Sequence, residues 1–118
     1  MKYSIITSSF NQLPNLVKLK GHLDWEEEFQ DSQWIVADDG STDGTLEWLD
    51  QQDIQFVTQK DEGYQLTKIL NKAAAIAKGD YLVWIMGDSY PKEDFLKELD
   101  KIVAPNRLVN GIRINVND

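Results

Sequence analysis

Short runs of β-branched and aromatic residues punctuate the chain at Tyr3 to Ile6, Trp34 to Ala37, Ile54 to Val57 and Tyr81 to Met86, each nearly continuous rather than alternating. Runs of that kind suit strands buried on both faces. Between them, apolar residues recur at helical spacing: Leu13, Leu16, Val17 and Leu19; Leu46, Trp48 and Leu49; Leu66, Ile69, Leu70, Ala73, Ala74, Ile76 and Ala77; Phe95, Leu96, Leu99, Ile102 and Val103. Strand and helix alternate. The alternation predicts an α/β fold of three layers, α/β/α, with a mostly parallel sheet covered by helices on both faces. Two further segments complete the reading. Asp24 to Asp31 carries Trp25 and Phe29 four residues apart and reads as a solvated helix with a small apolar stripe, and Leu108 to Val116 reads as another strand with Gly111 as a weak point or bulge.

With 118 residues, the chain has enough length for one core, burying roughly two-thirds of its unfolded surface. Residues 1–118 read as a single domain. Twelve basic against twenty acidic residues leave a net charge of -8, which argues against nucleic acid and anionic lipid as partners. A nucleotide is not excluded, because backbone N–H groups and a divalent cation outweigh the global field inside a small pocket. The chain has no cysteine and one histidine, His22. That rules out a disulfide scaffold, a Cys-ligated metal and a His-based metal cluster within one chain. The opening MKYSIITSSF is too short and polar for a signal-peptide core, and no apolar stretch approaches the ~20 residues of a membrane span. The expectation is a soluble, cytoplasmic protein.

In such sheets ligands sit beyond the carboxyl ends of the strands. The loops to inspect are Thr7 to Asn11, Asp38 to Thr45, Thr58 to Tyr64 and Gly87 to Pro91. The most informative is Ile35 to Thr45, IVADDGSTDGT, where a buried strand delivers two consecutive carboxylates, Asp38 and Asp39, to a glycine-containing turn. A capped β-to-α turn accounts for Gly40, Ser41, Thr42, Asp43 and Gly44. It does not account for two charged groups directly after a buried strand. Adjacent side chains alternate across a strand, so one aspartate can face a ligand while the other braces the loop.

These residues resemble a known family. Ser4 to Asn11, SIITSSFN, is similar to the S-I-I-I-P-T-Y-N opening of the family 2 glycosyltransferases of GT-A fold, and Ile35 to Thr45 to their I-V-V-D-D-G-S-T-D-G-T. Gln59 to Asn71 resembles the Q-E-D-x-G-F-R-x-x-x-I-R-N segment of one branch, and Gly79 to Pro91 its G-x-Y-I-x-F-I-D-G-D-C-I-P. Val109 to Arg113 looks like the V-x-G-x-R strand that follows, so the likeness runs the whole chain.

The resemblance implies a nucleotide-diphospho-sugar transferase fold, truncated to its nucleotide-sugar-binding half. Ser9 and Phe10 would border the base, Asp38 would hydrogen-bond it and Asp39 would sit beside it near the ribose. A carboxylate can accept from a uracil-type N–H; Phe10 fits the core equally well. Lys68, one turn past Gly63, would approach the diphosphate or meet solvent. Asp88 would hold Mg²⁺ or Mn²⁺, with the substrate phosphates supplying other ligands.

Several positions depart from the branch. Met86 stands where it has the first Asp of Asp-Gly-Asp, and Gln65 and Leu70 stand where it has arginines. The acceptor surface and general base belong to a later half that family members usually carry. The leading expectation is transfer of a sugar from a nucleoside diphosphate sugar, UDP-linked, to an unknown acceptor, with a second copy or partner chain completing the site. The alternative is a catalytically incomplete binding or structural module. A phosphoacceptor receiver domain fits poorly, because its acidic pair follows the first strand, and sugar nucleotidyltransferases need a glycine-rich, arginine-containing loop that is missing here.

Overall fold

The computed structural model describes residues 2–25, 27–63, 65–86, 89, 91 and 94–104. Its elements run β1 (Tyr3–Ser9), α1 (Leu13–Trp25), a 3-10 turn (Glu27–Phe29), β2 (Gln33–Asp38), α2 (Thr45–Gln51), β3 (Gln55–Thr58), α3 (Leu66–Ala75), β4 (Tyr81–Trp84) and α4 (Phe95–Asp100). The strands form one sheet, ordered β3-β2-β1-β4, and every pairing among the described residues is parallel.

Strand alternation divides the core between the two faces. On one, Tyr3 and Ile5 of β1, with Val83 and Ile85, pack on Leu19 and Leu23 of α1, Phe29 and Leu96 of α4. Val36 of β2 meets Leu16 of α1 and Leu49 of α2 on that same face. On the other face, Ile6, Ile35 and Ala37 pack against Ile69 and Ala73 of α3. These are the three layers expected. Each fully buried aliphatic side chain stabilises the fold by about 1.5–3 kcal/mol relative to exposure.

Burial on both sheet faces holds for the central strands only. β1 is buried throughout and β2 nearly so, whereas β3 has no buried residue and β4 only Val83. The outer strands lie at the sheet edges among the described residues, and helices cover them incompletely. The Asp24 to Asp31 stretch also differs from expectation. α1 ends at Trp25, which is 85% exposed, while Phe29 is buried in the core. Gln30 Nε2 donates to the Asp24 carbonyl at 3.3 Å as the turn carries Phe29 back beneath α1. A continuous helix would have kept the two aromatics on one face.

A polar network locks the amino ends of the strands. Gln33 Oε1 accepts from Ser4 Oγ and from the Lys78 N–H, both at 2.7 Å, and Gln33 Nε2 donates to Gln55 Oε1 at 2.8 Å and to the Ile76 carbonyl at 3.2 Å. The Gly79 N–H donates to Ser4 Oγ at 2.7 Å, and a Cβ at Gly79 would lie 2.5 Å from the Ser4 nitrogen. Only glycine permits that approach. The network ties the exit of α3 to three strands and leaves the opposite edge for chemistry. The predicted strand at Leu108 to Val116 lies outside the described residues. No helix among those described is long and apolar enough to cross a membrane.

Candidate functional site

Strands β1, β2 and β3 build outward on one side, and the chain then returns to place β4 on the other flank of β1. The carboxyl ends beside β1 at such a reversal are where ligands gather in open α/β sheets. Because all pairings are parallel, Ser9 to Asn11, Asp38 to Gly40, Thr58 to Lys60 and Ile85 to Met86 emerge at one edge of the sheet.

The two aspartates at the tip of β2 turn to opposite faces. Asp38 is fully buried, and its Oδ2 accepts from the N–H groups of Gly40 and Ser41, each at 3.0 Å, and from Thr58 Oγ1 at 2.8 Å. Its Oδ1 is buried with no partner. Asp39 Oδ1 accepts from Gln59 Nε2 at 2.7 Å, and Oδ2 from the Gln65 N–H at 3.4 Å, on the α3 side. Asp38 is therefore the brace of its own loop. A ligand would reach it only after Oδ1 is uncovered, a difference from the direct base contact expected of it. Gly40 sits at φ 92°, and a Cβ there would lie 2.6 Å from the Asp61 nitrogen. The turn thus packs against the backbone of the loop after β3.

The first loop is stitched to this turn. The Asn11 N–H donates to Ser41 Oγ at 2.9 Å, and Asn11 Oδ1 accepts from the Thr42 N–H at 2.8 Å. Asn11 itself has φ 51°, a backbone region asparagine tolerates better than most residues. Asp43 then serves two helices at once. Its Oδ1 accepts from the Thr45 N–H at 3.2 Å and from the Thr45 hydroxyl, and its Oδ2 from the Leu13 N–H at 3.0 Å. Desolvation alone would raise its pKa; the hydrogen bonds from Thr45 and Leu13 outweigh that and hold the carboxyl below its ordinary value.

Ser9 is buried, in register with Asp38, and its Oγ has no partner. Phe10 is 43% exposed, which decides between the two readings of its ring: it is not core. Lys68 is exposed on α3 and lines a shallow cavity of about 170 Å³ with Gln59, Lys60, Glu62, Gln65 and Lys72. The structure thus joins Ser9 to Asp38, and Asp39 to the wall of the Lys68 cavity through Gln59 and Gln65. It does not bring Lys68 toward the β4 side. Asp88, and with it the expected metal ligand, lies outside the described residues.

Met86 occupies the β4 side of the reversal, where its Sδ accepts from Ser8 Oγ at 3.5 Å. A neutral, soft thioether does not serve a hard divalent cation, and among the described residues no three acidic or histidine side chains gather as a metal site. Sequence reasoning gave no role to Thr58 or to the Gln59 side chain. The signal was available: Thr58 is the polar residue that closes an apolar run, and parallel pairing sets it opposite Asp38.

The geometry has parallels among known proteins, and the family model for glycosyl transferase family 2 matches residues 4–118. The chain belongs to this family. Its fold is the GT-A fold of solved glycosyltransferases. S. aureus TarS 1-349 superposes with a TM-score of 0.75 at 23% identity, over 86% of this chain and 32% of that one. The same protein in complex with UDP-GlcNAc gives 0.69 at 25% identity, over 86% and 30%. The mannosyltransferase PcManGT from Pyrobaculum calidifontis, in complex with GDP-Man and Mn²⁺, gives 0.70 at 21% identity, over 85% and 31%. The family 2 chain described here thus spans about a third of the length of these structures. No curated protein sequence matches it.

Proposed function

We propose that this chain is the donor-binding half of a family 2 glycosyltransferase that takes a sugar from a nucleoside diphosphate sugar, UDP-linked, and passes it to an acceptor held by a further segment or a partner chain. The observation that carries this reading is the stitching of Asn11 to Ser41 and Thr42, which sets the exposed Phe10 ring beside the Asp38–Asp39 turn at the carboxyl edge of the sheet. A flat ring face and a carboxylate are what a pyrimidine base requires for stacking and for its N–H. Asp39 retains a little surface while Asp38 has none, so Asp39 is the carboxylate we assign to the base and Asp38 the one that shapes the loop. Ser9 borders the same pocket. The neighbours with UDP-GlcNAc and with GDP-Man and Mn²⁺ support the ligand class.

A Mg²⁺ or Mn²⁺ ion at Asp88 belongs to this proposal. When bound it would offset charge on the departing diphosphate, held by one protein carboxylate, the phosphate oxygens and water. Calorimetric titration of UDP and GDP in the presence of Mn²⁺ tests the reading. Binding that weakens at least tenfold in Asp39→Asn, with an unchanged melting temperature, is expected; no heat at millimolar nucleotide overturns it. Met86 favours a second reading, a module that keeps the fold and binds nucleotide without transferring sugar. Nucleotide binding that is indifferent to Mn²⁺, with no transfer or sugar hydrolysis, would select it.

A further inference from the structure

The chain carries 20 carboxylates against 12 cations, yet three lysines gather around one hollow. Lys60 comes from the loop after β3, and Lys68 and Lys72 from successive turns of α3; all three line the cavity of about 170 Å³. Lys2, Lys20, Lys97 and Lys101 each pair with a carboxylate. Lys60, Lys68 and Lys72 pair with none among the described residues, and Glu62 is the one acidic side chain in the lining. Like charges one helical turn apart repel. An anion between them reverses the sign of that interaction, and its desolvation is shared with the amide groups of Gln59 and Gln65 in the same wall.

We infer that this cavity is a binding site for a phosphate group, separate from the donor pocket. Lysine presents a compact point charge that suits the tetrahedral phosphate oxygens without demanding the planar fork of arginine. The volume holds about five or six water molecules, room for phosphate and not for a nucleotide. Position separates it from the donor. The cavity opens at the β3 edge, and the reversal where the donor's diphosphate would lie is between β1 and β4, two strands further on. At roughly 4.8 Å per strand the β3 and β4 ends are about 14 Å apart. One diphosphate does not reach both. The occupant is therefore the phosphate of a second molecule. Gln59 is shared, since it lines the cavity and donates to Asp39, so the two sites communicate through one side chain. The inference stands whether or not the chain binds a nucleotide sugar.

Inorganic phosphate titrated into the protein at constant ionic strength, followed by amide NMR shifts, tests it. Saturating shifts at Lys60, Lys68 and Gln65 are expected, with affinity reduced at least tenfold in Lys68→Gln/Lys72→Gln. Both lysines are exposed, so the melting temperature should hold; if the pair fails to fold, Lys60→Gln alone is expected to weaken phosphate at least threefold. Unchanged affinity in either variant overturns the inference. The titration is repeated with UDP and Mn²⁺ at millimolar concentration. Phosphate affinity within twofold supports a separate site, whereas displacement by UDP, with uridine inert, would assign the lysines to the donor's own diphosphate and overturn it. Failure of UDP to bind at all removes the donor reading and leaves the phosphate titration to stand alone.

Discussion

At the scale of single residues, the site depends on carboxylates that hold backbone. Asp43 accepts from the first N–H of α1 and the first of α2, so its loss uncaps two helices together. Replacing such a residue by alanine costs about 1–2 kcal/mol, and Asp43→Ala is expected at the upper end of that range in urea unfolding at pH 7, with Asp43→Asn milder. The pH dependence follows from the lowered pKa of the folded state. A carboxyl with a depressed folded pKa contributes stability that is complete above its unfolded value, about 3.9, and is lost as pH falls through the folded one. The gap in stability between wild type and Asp43→Asn should narrow as pH drops from 5 to about 2.5. Asp100 is lowered by its hydrogen bonds from Lys2 and Tyr3 and titrates in the same direction, so the comparison belongs in an Asp100→Asn background. Gly40 is the other sensitive position. Its φ of 92° and the 2.6 Å approach to Asp61 together predict that Gly40→Ala lowers stability by about 2–3 kcal/mol, measurable as a shift in urea midpoint, and releases the loop that carries Asp61.

At the scale of elements, the order of strands and helices was legible because a change of period from near-continuous to helical needs no tertiary knowledge. The aspartate pair was legible for a related reason, since burial of two charges at a strand tip demands an explanation that a turn alone does not give. Three things were not. Edge and centre strands have similar composition here: Phe56 and Val57 of β3 look as apolar as Ile35 and Val36, and only the pairing order separates them. Trp25 and Phe29 share a helical spacing that the 3-10 turn cancels. The division of labour between Asp38 and Asp39 depends on Thr58 and Gln59, which arrive from another strand. The amino-end network was equally silent in the sequence, because Gln33 reads as an ordinary polar residue opening a strand. Its side chain nevertheless serves Ser4, Gln55, Ile76 and Lys78. Gln33→Leu fills the same space but strands those buried groups without partners. A loss of about 2–3 kcal/mol is expected, with α3 and β4 losing hydrogen-exchange protection before α1 does. Equal protection loss across the whole sheet would mean that the network is not what fastens α3 to the strands.

At the scale of the whole molecule, the covering of the sheet is uneven. α3 shields β1, β2 and β3 on its face, while Leu82, Trp84 and Met86, on the same face of β4 by strand alternation, are exposed. Val83, between them, points into the opposite core and is buried. The two faces of one short strand should thus answer substitution in opposite ways. Val83→Ala removes two buried methyl groups and is expected to cost about 2 kcal/mol. Trp84→Thr takes away a larger side chain that is 47% exposed and is expected to change stability by no more than about 0.5 kcal/mol, because threonine suits an edge strand and little packing is lost. Urea titrations of both variants at two protein concentrations check this. A cost above 2 kcal/mol for Trp84→Thr, or a midpoint that moves with concentration in the wild type alone, would show that the β4 face is packed in solution against something the single chain does not contain. Agreement with expectation would show that the donor-binding edge is formed by a sheet stable with one flank open, as the division of the core into α1/α2/α4 and α3 layers implies.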